Sequence, residues 1–305
     1  ADHPNVVVSG WQVMDNKGRV VEKYEPFFST SFDYDPPADA QTGQKVITFY
    51  DPRGHAVRTL NPDGSEQRVI YGVPGTAAAP DLENPETFEP TPWEAYTYDA
   101  NDNAGRTHPA EASAYRHHFD TPSSIEIDAI GRVIRKVERN REAARQPGDP
   151  LPPITELVTR TVYDILGNIL VILDAANRPA FRHVYDFANH PLRIDSIDAG
   201  LRQNVFDAAG SPVEQRDGKG ALILQGYDAL KRPIQLWSRD GAGQALALRE
   251  QMEYGDAAPP AELAAHRAAN RFGRLSRHYD PAGVVTFEAY DFKGSLLEKT
   301  RRVVS

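Results

Sequence analysis

The chain of 305 residues contains no cysteine, only two methionines and only three tryptophans. The lack of cysteine excludes disulfides, thiolate nucleophiles and zinc–thiolate sites, although it does not exclude secretion. No apolar run approaches the ~18 residues of a membrane-spanning helix. No signal peptide is recognisable at the start of the sequence. The sequence therefore predicts neither oxidative cross-links nor a membrane span.

A basic surface is also missing. The formal net charge is −9 and the isoelectric point is about 5.5. Proteins that bind nucleic acid usually present a basic face to the phosphates. One basic stretch runs from Arg132 to Arg145, and it is expected to be an ordinary solvated face. The composition thus argues against a nucleic-acid partner.

Sequence motifs for catalysis and metal binding are absent or incomplete. There is no nucleophile elbow, phosphate loop or dinucleotide fingerprint. The segment Asp99–Asn103 resembles the start of a calcium loop, but Ala104 and Ala110 stand where glycine and glutamate are needed. His117 and His118 are adjacent, so on a strand they would face opposite sides. The sequence predicts no catalytic residue, no cofactor-binding residue, no metal ligand and hence no enzyme.

What the chain does contain is a repeated phrase: an aromatic residue, an aspartate, two variable residues and a glycine. Asn189 and Lys231 replace the glycine in two copies. The aspartates at 164, 186, 207 and 228 are 22, 21 and 21 residues apart, so the period is near 21. The motif residues are Tyr50, Asp51, Gly54, Asp128, Gly131, Tyr163, Asp164, Gly167, Tyr185, Asp186, Phe206, Asp207, Gly210, Tyr227, Asp228, Tyr279, Asp280, Gly283, Tyr290, Asp291 and Gly294.

This phrase has the chemistry of a tight turn. Aspartate accepts from backbone N–H groups at the start of a turn, and the glycine takes φ > 0, as at Gly167 and Gly210. Asparagine tolerates the same conformation, whereas Lys231 suits it poorly. A second turn follows half a period later, as at Asp217–Gly220. One repeat is therefore turn, strand, turn, strand, which predicts an antiparallel meander.

The recurring rings are expected to stack in a row across the sheet. Tyr185 and Tyr227 should then be mostly buried. The motif residues are accordingly interpreted as structural, because about ten equivalent catalytic sites on one sheet would be odd.

The repeats predict a single region over residues 1–305. Residues 1–160 carry insertions, and residues 161–305 are more regular. Residues 73–95 are predicted to be a long surface loop, and 139–153 an insertion with a short helix. Residues 259–272 are the strongest helix candidate, because two prolines precede an alanine-rich run.

Both ends of the sequence resemble cuts through a longer array. The chain begins Ala1-Asp2-His3 and stops at Ser305, directly after a strand-like run. Exposed sheet edges pair with whatever is available. The isolated chain is therefore expected to self-associate, unless its insertions cover the edges.

The phrase Tyr-Asp-x-x-Gly-Arg at this period resembles the Rhs or YD repeat. Three longer segments resemble the Rhs region of the B component of ABC-type (Tc) insecticidal toxin complexes. They are Tyr50–Gly72, Pro92–Asn103 and Asn270–Leu275. The resemblance covers nearly the whole chain.

The resemblance implies an antiparallel sheet that curls into part of a hollow shell and encloses a cytotoxic polypeptide. It also implies further Rhs repeats and the C component of a toxin complex as partners, and export from the cell. No segment resembles the self-cutting aspartates or the propeller of that family, so no residue roles are transferred from them.

The sequence leaves one alternative fold and one alternative function open. A β-propeller would explain pairs of repeats as four-stranded blades, although the uneven spacings oppose it. A cell-surface or glycan-binding module would use exposed aromatic rings, for which Trp93, Trp237 and Tyr96 are candidates.

Overall fold

Turns and strands alternate along the chain as the repeat predicts. The computed structural model describes residues 6–30, 43–75, 80–84, 87–109, 117–142 and 149–304. Strands make up 51% of the structure and helices 4%, which confirms the all-β class. Aliphatic and β-branched side chains dominate strands such as Ile169–Leu173, because they pack well on a pleated surface.

The chain forms two compact units. The first comprises Ala1–Thr161 and Leu173–Arg178, and the second comprises Val162–Ile172 and Pro179–Ser305. The organisation of residues 1–305 as one repeat region stays a prediction.

Thirteen strands begin in the first unit. They are β1 (Val6–Val8), β2 (Gln12–Met14), β3 (Val20–Tyr24), β4 (Phe27–Ser29), β5 (Lys45–Tyr50), β6 (Ala56–Leu60), β7 (Glu66–Tyr71), β8 (Val73–Pro74), β9 (Phe88–Glu89), β10 (Glu94–Tyr98), β11 (Ser123–Ile127), β12 (Val133–Asn140) and β13 (Thr155–Tyr163). Nine of them form an antiparallel sheet in the order β2-β3-β5-β6-β7-β10-β11-β12-β13. The pairs β1–β4 and β8–β9 are separate.

Eleven strands begin in the second unit. They are β14 (Ile169–Leu173), β15 (Pro179–Tyr185), β16 (Pro191–Ser196), β17 (Gly200–Phe206), β18 (Pro212–Asp217), β19 (Leu222–Tyr227), β20 (Pro233–Arg239), β21 (Ala247–Tyr254), β22 (Leu275–Asp280), β23 (Gly283–Tyr290) and β24 (Leu296–Val303). From β15 to β24, every strand pairs antiparallel with its neighbours in sequence.

Both sheets are open meanders. Among the described strands, no pairing joins β2 to β13 or β15 to β24. Propeller blades are separate four-stranded sheets, whereas these two series run on through nine and ten strands. The propeller alternative is therefore wrong. Self-association through exposed edges such as β24 stays a prediction.

The motif rings end strands, as the repeat predicts. Strands β5, β13, β15, β17, β19 and β23 finish on Tyr50, Tyr163, Tyr185, Phe206, Tyr227 and Tyr290. A bulge immediately precedes the ring in most of them. A bulge adds local twist and bends the strand towards its turn.

Few side chains are fully buried. Tyr98, Val137 and Asn103 are the largest side chains that the described structure encloses completely. Most strand residues instead keep an intermediate exposure on both sides of the sheet, as β23 does along its whole length. Such a sheet is held mainly by backbone ladders and same-face contacts, not by packing against a second layer.

The predicted surface loop at 73–95 departs from expectation. Leu82 and Phe88 are each 6% exposed and pack with Tyr96, Tyr98 and Ile70. The loop therefore carries two apolar side chains into a small core, because it folds back over β7 and β10. Residues 76–79 and 85–86 of this segment lie outside the described residues.

The predicted helix is present but shorter than expected. Helix α1 (Leu263–Ala268) lies within the predicted 259–272 range, and a single 3₁₀ turn (Gly255–Ala257) precedes it. The helix ends where Asn270 takes a φ of 54°. In the insertion at 139–153, β12 extends to Asn140, and residues 143–148 lie outside the described residues.

Candidate functional site: the repeat turns and the sheet faces

Each repeat turn is held by its own aspartate. After β17, the Asp207 N–H donates to the Ser211 carbonyl over 2.9 Å, and the Gly210 N–H donates to the Asp207 carbonyl over 3.0 Å. Asp207 Oδ1 accepts from the N–H groups of Ala209 and Ser211, over 2.8 and 3.0 Å. One carboxylate thus satisfies two backbone donors of the turn.

The same backbone bonds recur along the chain. They occur at turns that begin at Asp15, Asp51, Asp128, Asp164, Asp186, Asp228 and Asp291, and at second turns that begin at Asn61, Asp174 and Asp217. The turn after Tyr279 differs, because Asp280 pairs directly with Gly283. There the Asp280 carboxylate accepts from the Ala282 N–H over 2.8 Å.

The position three residues after the aspartate takes a positive φ whatever residue occupies it. The angle is 95° at Gly167 and 81° at Gly210, which confirms the predicted conformation. Asn189 has 68°, and Lys231, despite its poor suitability, has 62°. Lys231 Nζ donates to Asp207 Oδ2 over 2.8 Å. The residue with this unusual positive φ therefore also forms an ion pair to the preceding repeat.

The residue directly after the motif glycine position links one repeat to the next, a role that the sequence pattern did not predict. Arg232 Nε donates to Asp228 Oδ2 over 2.7 Å in its own turn. Its Nη1 donates to Asp256 Oδ1 over 2.7 Å, and its guanidinium carbon lies 4.0 Å from the Tyr254 ring centroid. The planar fork of arginine makes all three contacts at once.

Equivalent contacts occur in other repeats. The Arg19 guanidinium carbon lies 4.6 Å from the Tyr50 ring centroid, and the His190 ring stacks on Phe206 with centroids 4.7 Å apart. Motif rings therefore alternate with basic or imidazole side chains, which replaces the predicted stack of rings. The sequence signal for this role is a basic residue or histidine four positions after the aspartate: Arg19, His55, Arg132, His190 and Arg232.

Tyrosine hydroxyls add a second link, to the neighbouring strand. Each donor ends a strand, and each acceptor carbonyl belongs to the first residue of the adjacent strand. The pairs are Tyr50 with Val20 (2.8 Å), Tyr227 with Pro212 (3.0 Å), Tyr254 with Pro233 (3.2 Å) and Tyr290 with Leu275 (3.0 Å). These bonds pin the ends of adjacent strands together.

Most of the surface of Tyr185 and Tyr227 is buried, as predicted, although neither side chain is fully enclosed. The His183 ring stacks on Tyr185 with centroids 6.0 Å apart. Partial burial raises the pKa of both tyrosines, and the carboxylates of Asp164 and Asp207 add to the effect.

The turn carboxylates are stabilised as anions. The hydrogen bond from Lys231, followed by the Ser211 N–H, lowers the pKa of Asp207 to about 2. The Arg19 N–H and then the Arg19 side chain lower the pKa of Asp15 to about 2. Hydrogen bonds to the charged form produce this shift, because protonation would weaken them.

A buried polar network occupies the segment that resembles a calcium loop. Asp102 Oδ1 accepts from the Thr121 N–H and hydroxyl over 2.9 and 3.0 Å, and Asp102 Oδ2 accepts from the Asp99 N–H over 2.8 Å. Burial raises the pKa of Asp102 to about 6. Asn103 is fully enclosed and donates to the Glu66 carbonyl over 2.8 Å. Within this turn Asp102 and Asn103 are thus buried, whereas Asp99 and Asn101 are exposed.

The two adjacent histidines do not diverge. His117 and His118 lie in a helical turn instead of a strand, and their ring centroids are 3.9 Å apart. Within the described part of the chain, no group of three or more His, Cys, Asp or Glu side chains could hold a metal ion. No helix among the described residues is long and apolar enough to span a bilayer.

The candidate binding aromatics differ in exposure. Trp93 is 48% exposed and Trp237 is 36% exposed, but Tyr96 is only 7% exposed and packs in the core around Leu82. Tyr96 therefore cannot offer a ring face to a ligand.

Comparison with known proteins identifies related structures only. No protein-family model and no curated protein matches the chain. The crystal structure of TcdB2-TccC3 without its hypervariable C-terminal region superimposes with a TM-score of 0.72 and 23% identity, over 98% of this chain and 13% of that chain. A Photorhabdus luminescens Tc holotoxin pore matches with a TM-score of 0.73 and 22% identity, again over 98% of this chain and 13% of that chain.

The chain thus spans about an eighth of the length of these toxin-complex chains, 13% in both cases. At such identities the likeness concerns the fold. An antiparallel repeat sheet shared over 98% of the chain confirms, at the level of the fold, the resemblance to the Rhs shell region of the B component of Tc toxin complexes.

Proposed function

We propose that the chain is a wall segment of a toxin-delivery shell that encloses a cytotoxic passenger polypeptide. The observation that carries this proposal is the open antiparallel sheet shared with the toxin-complex structures over 98% of the chain. Its strand side chains keep intermediate exposure on both faces, as in β23. A wall needs this property, because one face meets the contents and the other meets solvent.

The links between repeats suit the same role. A wall of single thickness has no second layer to hold it flat, so it needs bonds within the plane of the sheet. Arg232 supplies such a bond between consecutive turns, and the Tyr227 hydroxyl supplies one between adjacent strands. The motif residues are thus proposed to act structurally, without a catalytic role.

The proposed partners follow from this assignment. They are further Rhs repeats, the C component of a toxin complex and the enclosed polypeptide, within an exported complex.

Protease protection tests the proposal. The full-length protein that contains this chain is purified with its C component and treated with a protease that digests the free passenger. The passenger is expected to survive in the intact assembly. Gln215→Pro is expected to expose it, because β18 pairs on both sides and proline in the middle of a sheet removes a ladder hydrogen bond.

Leu230→Ser is the matched control, since this side chain is exposed in a turn. Protection should persist in the control. A passenger digested equally fast with and without the wall would overturn the proposal.

A glycan-binding module remains the second candidate, because the Trp93 and Trp237 rings are partly exposed. Binding on a glycan array that is lost in Trp93→Ala would favour it. Absence of binding to any glycan, together with passenger protection, would exclude it.

A further inference from the structure

The four-residue phrase Asp-Gly-x-Gly occurs twice in the chain, and its two copies are bonded differently. The copies are residues 217–220 and 240–243. Each ends on a glycine with a φ of 84°. In the first copy, Asp217 Oδ1 accepts from the N–H groups of Lys219 and Ala221, each over 2.9 Å. The Asp217 side chain is therefore held in place by the backbone of its own turn.

The aspartate of the second copy is not held in this way. Among the described residues, no donor lies within hydrogen-bonding distance of the Asp240 carboxylate, and Arg249 Nη2 is 3.7 Å from Asp240 Oδ2. The Asp240 side chain is 78% exposed. Residues 240–246 connect β20 to β21, whereas residues 218–221 connect β18 to β19. The second copy thus lies in a longer connection, and its carboxylate is free to turn towards the backbone.

The backbone nitrogen that follows this carboxylate is also free. Among the described residues, no acceptor receives the Gly241 N–H. Glycine has no Cβ, so nothing on Gly241 itself keeps a carboxyl group away from its nitrogen. The carboxyl and the amide nitrogen are therefore neighbours in the chain, and neither is engaged in a hydrogen bond.

The remaining Asp-Gly pair of the chain, Asp63 and Gly64, is bonded on both sides. Asp63 Oδ1 accepts from the Ser65 N–H over 2.9 Å. The Gly64 N–H donates to the Asn61 carbonyl over 3.0 Å. The chain thus supplies two internal comparisons for Asp240, one with a bonded carboxylate and one with both groups bonded.

We propose that Asp240 is a site of spontaneous modification, at which aspartate isomerises to isoaspartate through a cyclic imide. The Gly241 nitrogen bonds to Cγ of the protonated carboxyl group, and the carboxyl hydroxyl leaves as water with the proton of the Gly241 N–H. One water then adds to a carbonyl of the imide and breaks its bond to nitrogen. Opening at Cγ restores aspartate, and opening at the α-carbonyl gives isoaspartate. The water consumed equals the water released, so the reaction needs no other reagent.

The modification affects a contact between neighbouring turns. The Ala242 N–H donates to the Lys219 carbonyl over 3.3 Å, and a Cβ at Gly220 would lie 2.6 Å from Ala242. Isoaspartate adds one carbon to the backbone two residues before Ala242, so this close approach is expected to be lost. The proposal does not depend on the shell assignment, because the reaction needs only the local connection.

Incubation of the full 305-residue chain in H₂¹⁸O tests the proposal. Each passage through the imide places one ¹⁸O in residue 240, and digestion in ordinary water at low pH followed by mass spectrometry locates the label. Asp217 and Asp63 are the internal controls. Asp240 should take up label about tenfold faster than Asp217, whose carboxylate must first give up two hydrogen bonds. An isoaspartyl form of the Asp240 peptide should separate from it on chromatography. No label at Asp240, or equal rates at Asp217 and Asp240, would overturn the proposal.

A variant identifies the reacting nitrogen. Gly241→Ala should slow the labelling of Asp240 several-fold, because a Cβ crowds the nitrogen. The fold should be retained, since a Cβ at this position would meet only the Lys219 carbonyl oxygen, at 3.8 Å. Gly218→Ala is the matched control and should leave the labelling of Asp240 unchanged. Unchanged labelling in Gly241→Ala would show that the label enters without the imide, and would overturn the proposal.

Amide exchange measures the effect on the neighbouring turn. In the isomerised fraction the Ala242 N–H should exchange with deuterium faster than in the unmodified chain. The Ala221 N–H, which Asp217 holds, should exchange at the same rate in both. Equal exchange of Ala242 in the two fractions would contradict the loss of the contact with Lys219.

Discussion

The guanidinium carbon of Arg232 lies 4.0 Å from the centroid of the Tyr254 ring. Arg232 belongs to a repeat turn, and Tyr254 ends the second strand after that turn. The contact therefore runs across the repeats, and it coincides with the ion pair from Arg232 to Asp256. Cross-repeat contacts of this kind hold a sheet that has few fully buried side chains.

Removing Arg232 should destabilise the chain more than removing an exposed arginine. Arg232→Ala is expected to lower the free energy of unfolding by about 2 kcal/mol, because it removes a cation–π contact and two part-buried carboxylate partners. Arg216→Ala, whose pair with Glu214 is more exposed, should cost about 0.5 kcal/mol or less. Urea unfolding measures both. Equal losses would contradict the linking role.

Substitution of a motif glycine should cost stability through its positive φ. Gly210→Val is expected to cost about 1–2 kcal/mol from backbone strain, because β-branched residues resist this conformation. A Cβ at Gly210 would also lie 2.9 Å from His190 Nε2, whereas one at Gly131 would meet nothing within 4 Å. The melting temperature of Gly210→Val should therefore be lower than that of Gly131→Val. An unchanged melting temperature for Gly210→Val would refute the structural role of this turn glycine.

Removing a tyrosine hydroxyl that links two strands should lower the free energy of unfolding by a measurable amount. Tyr227→Phe removes the 3.0 Å bond to the Pro212 carbonyl and is expected to cost about 1 kcal/mol. Tyr185→Phe is the control, since the Tyr185 hydroxyl has no hydrogen-bond partner among the described residues and the ring is half-buried as well. Chemical denaturation of the two variants should differ. Identical midpoints would argue against the strand link.

Acid should weaken the turns over a defined range. The pKa of Asp207 falls to about 2 in the folded chain, from an unfolded value of about 3.9. The folded state therefore binds fewer protons in this interval, so the contribution of Asp207 is present above about pH 4 and is lost as pH falls to about 2.

Asp207→Asn should remove this dependence. The stability difference between the unaltered chain and the variant should shrink as pH falls from about 5 to about 2, as followed by urea midpoints. Asp240→Asn, at an exposed carboxylate 3.7 Å from Arg249, makes the same charge change and should show little such trend. A constant difference across this range for Asp207→Asn would contradict the prediction.

Local chemistry in the sequence determined the turns, the strand ends and the fold class. Aspartate and glycine three residues apart specify a turn through contacts within five residues, so Gly167 and Gly210 have the conformation that the sequence predicts. The prolines and alanines before His266 likewise indicated the helix. The resemblance to toxin-complex repeats is also a property of the sequence, because it rests on the recurring phrase and on three longer segments.

The tertiary structure alone decided which distant side chains meet. Asp207 and Lys231 are 24 residues apart, and their ion pair depends on the spacing of neighbouring turns in the sheet. The inward packing of Leu82 depends on a loop that folds back over two strands. The burial of His266 likewise depends on how α1 packs against the sheet. Burial and long-range pairing follow from how the strands lie beside one another, and no local pattern contains that information.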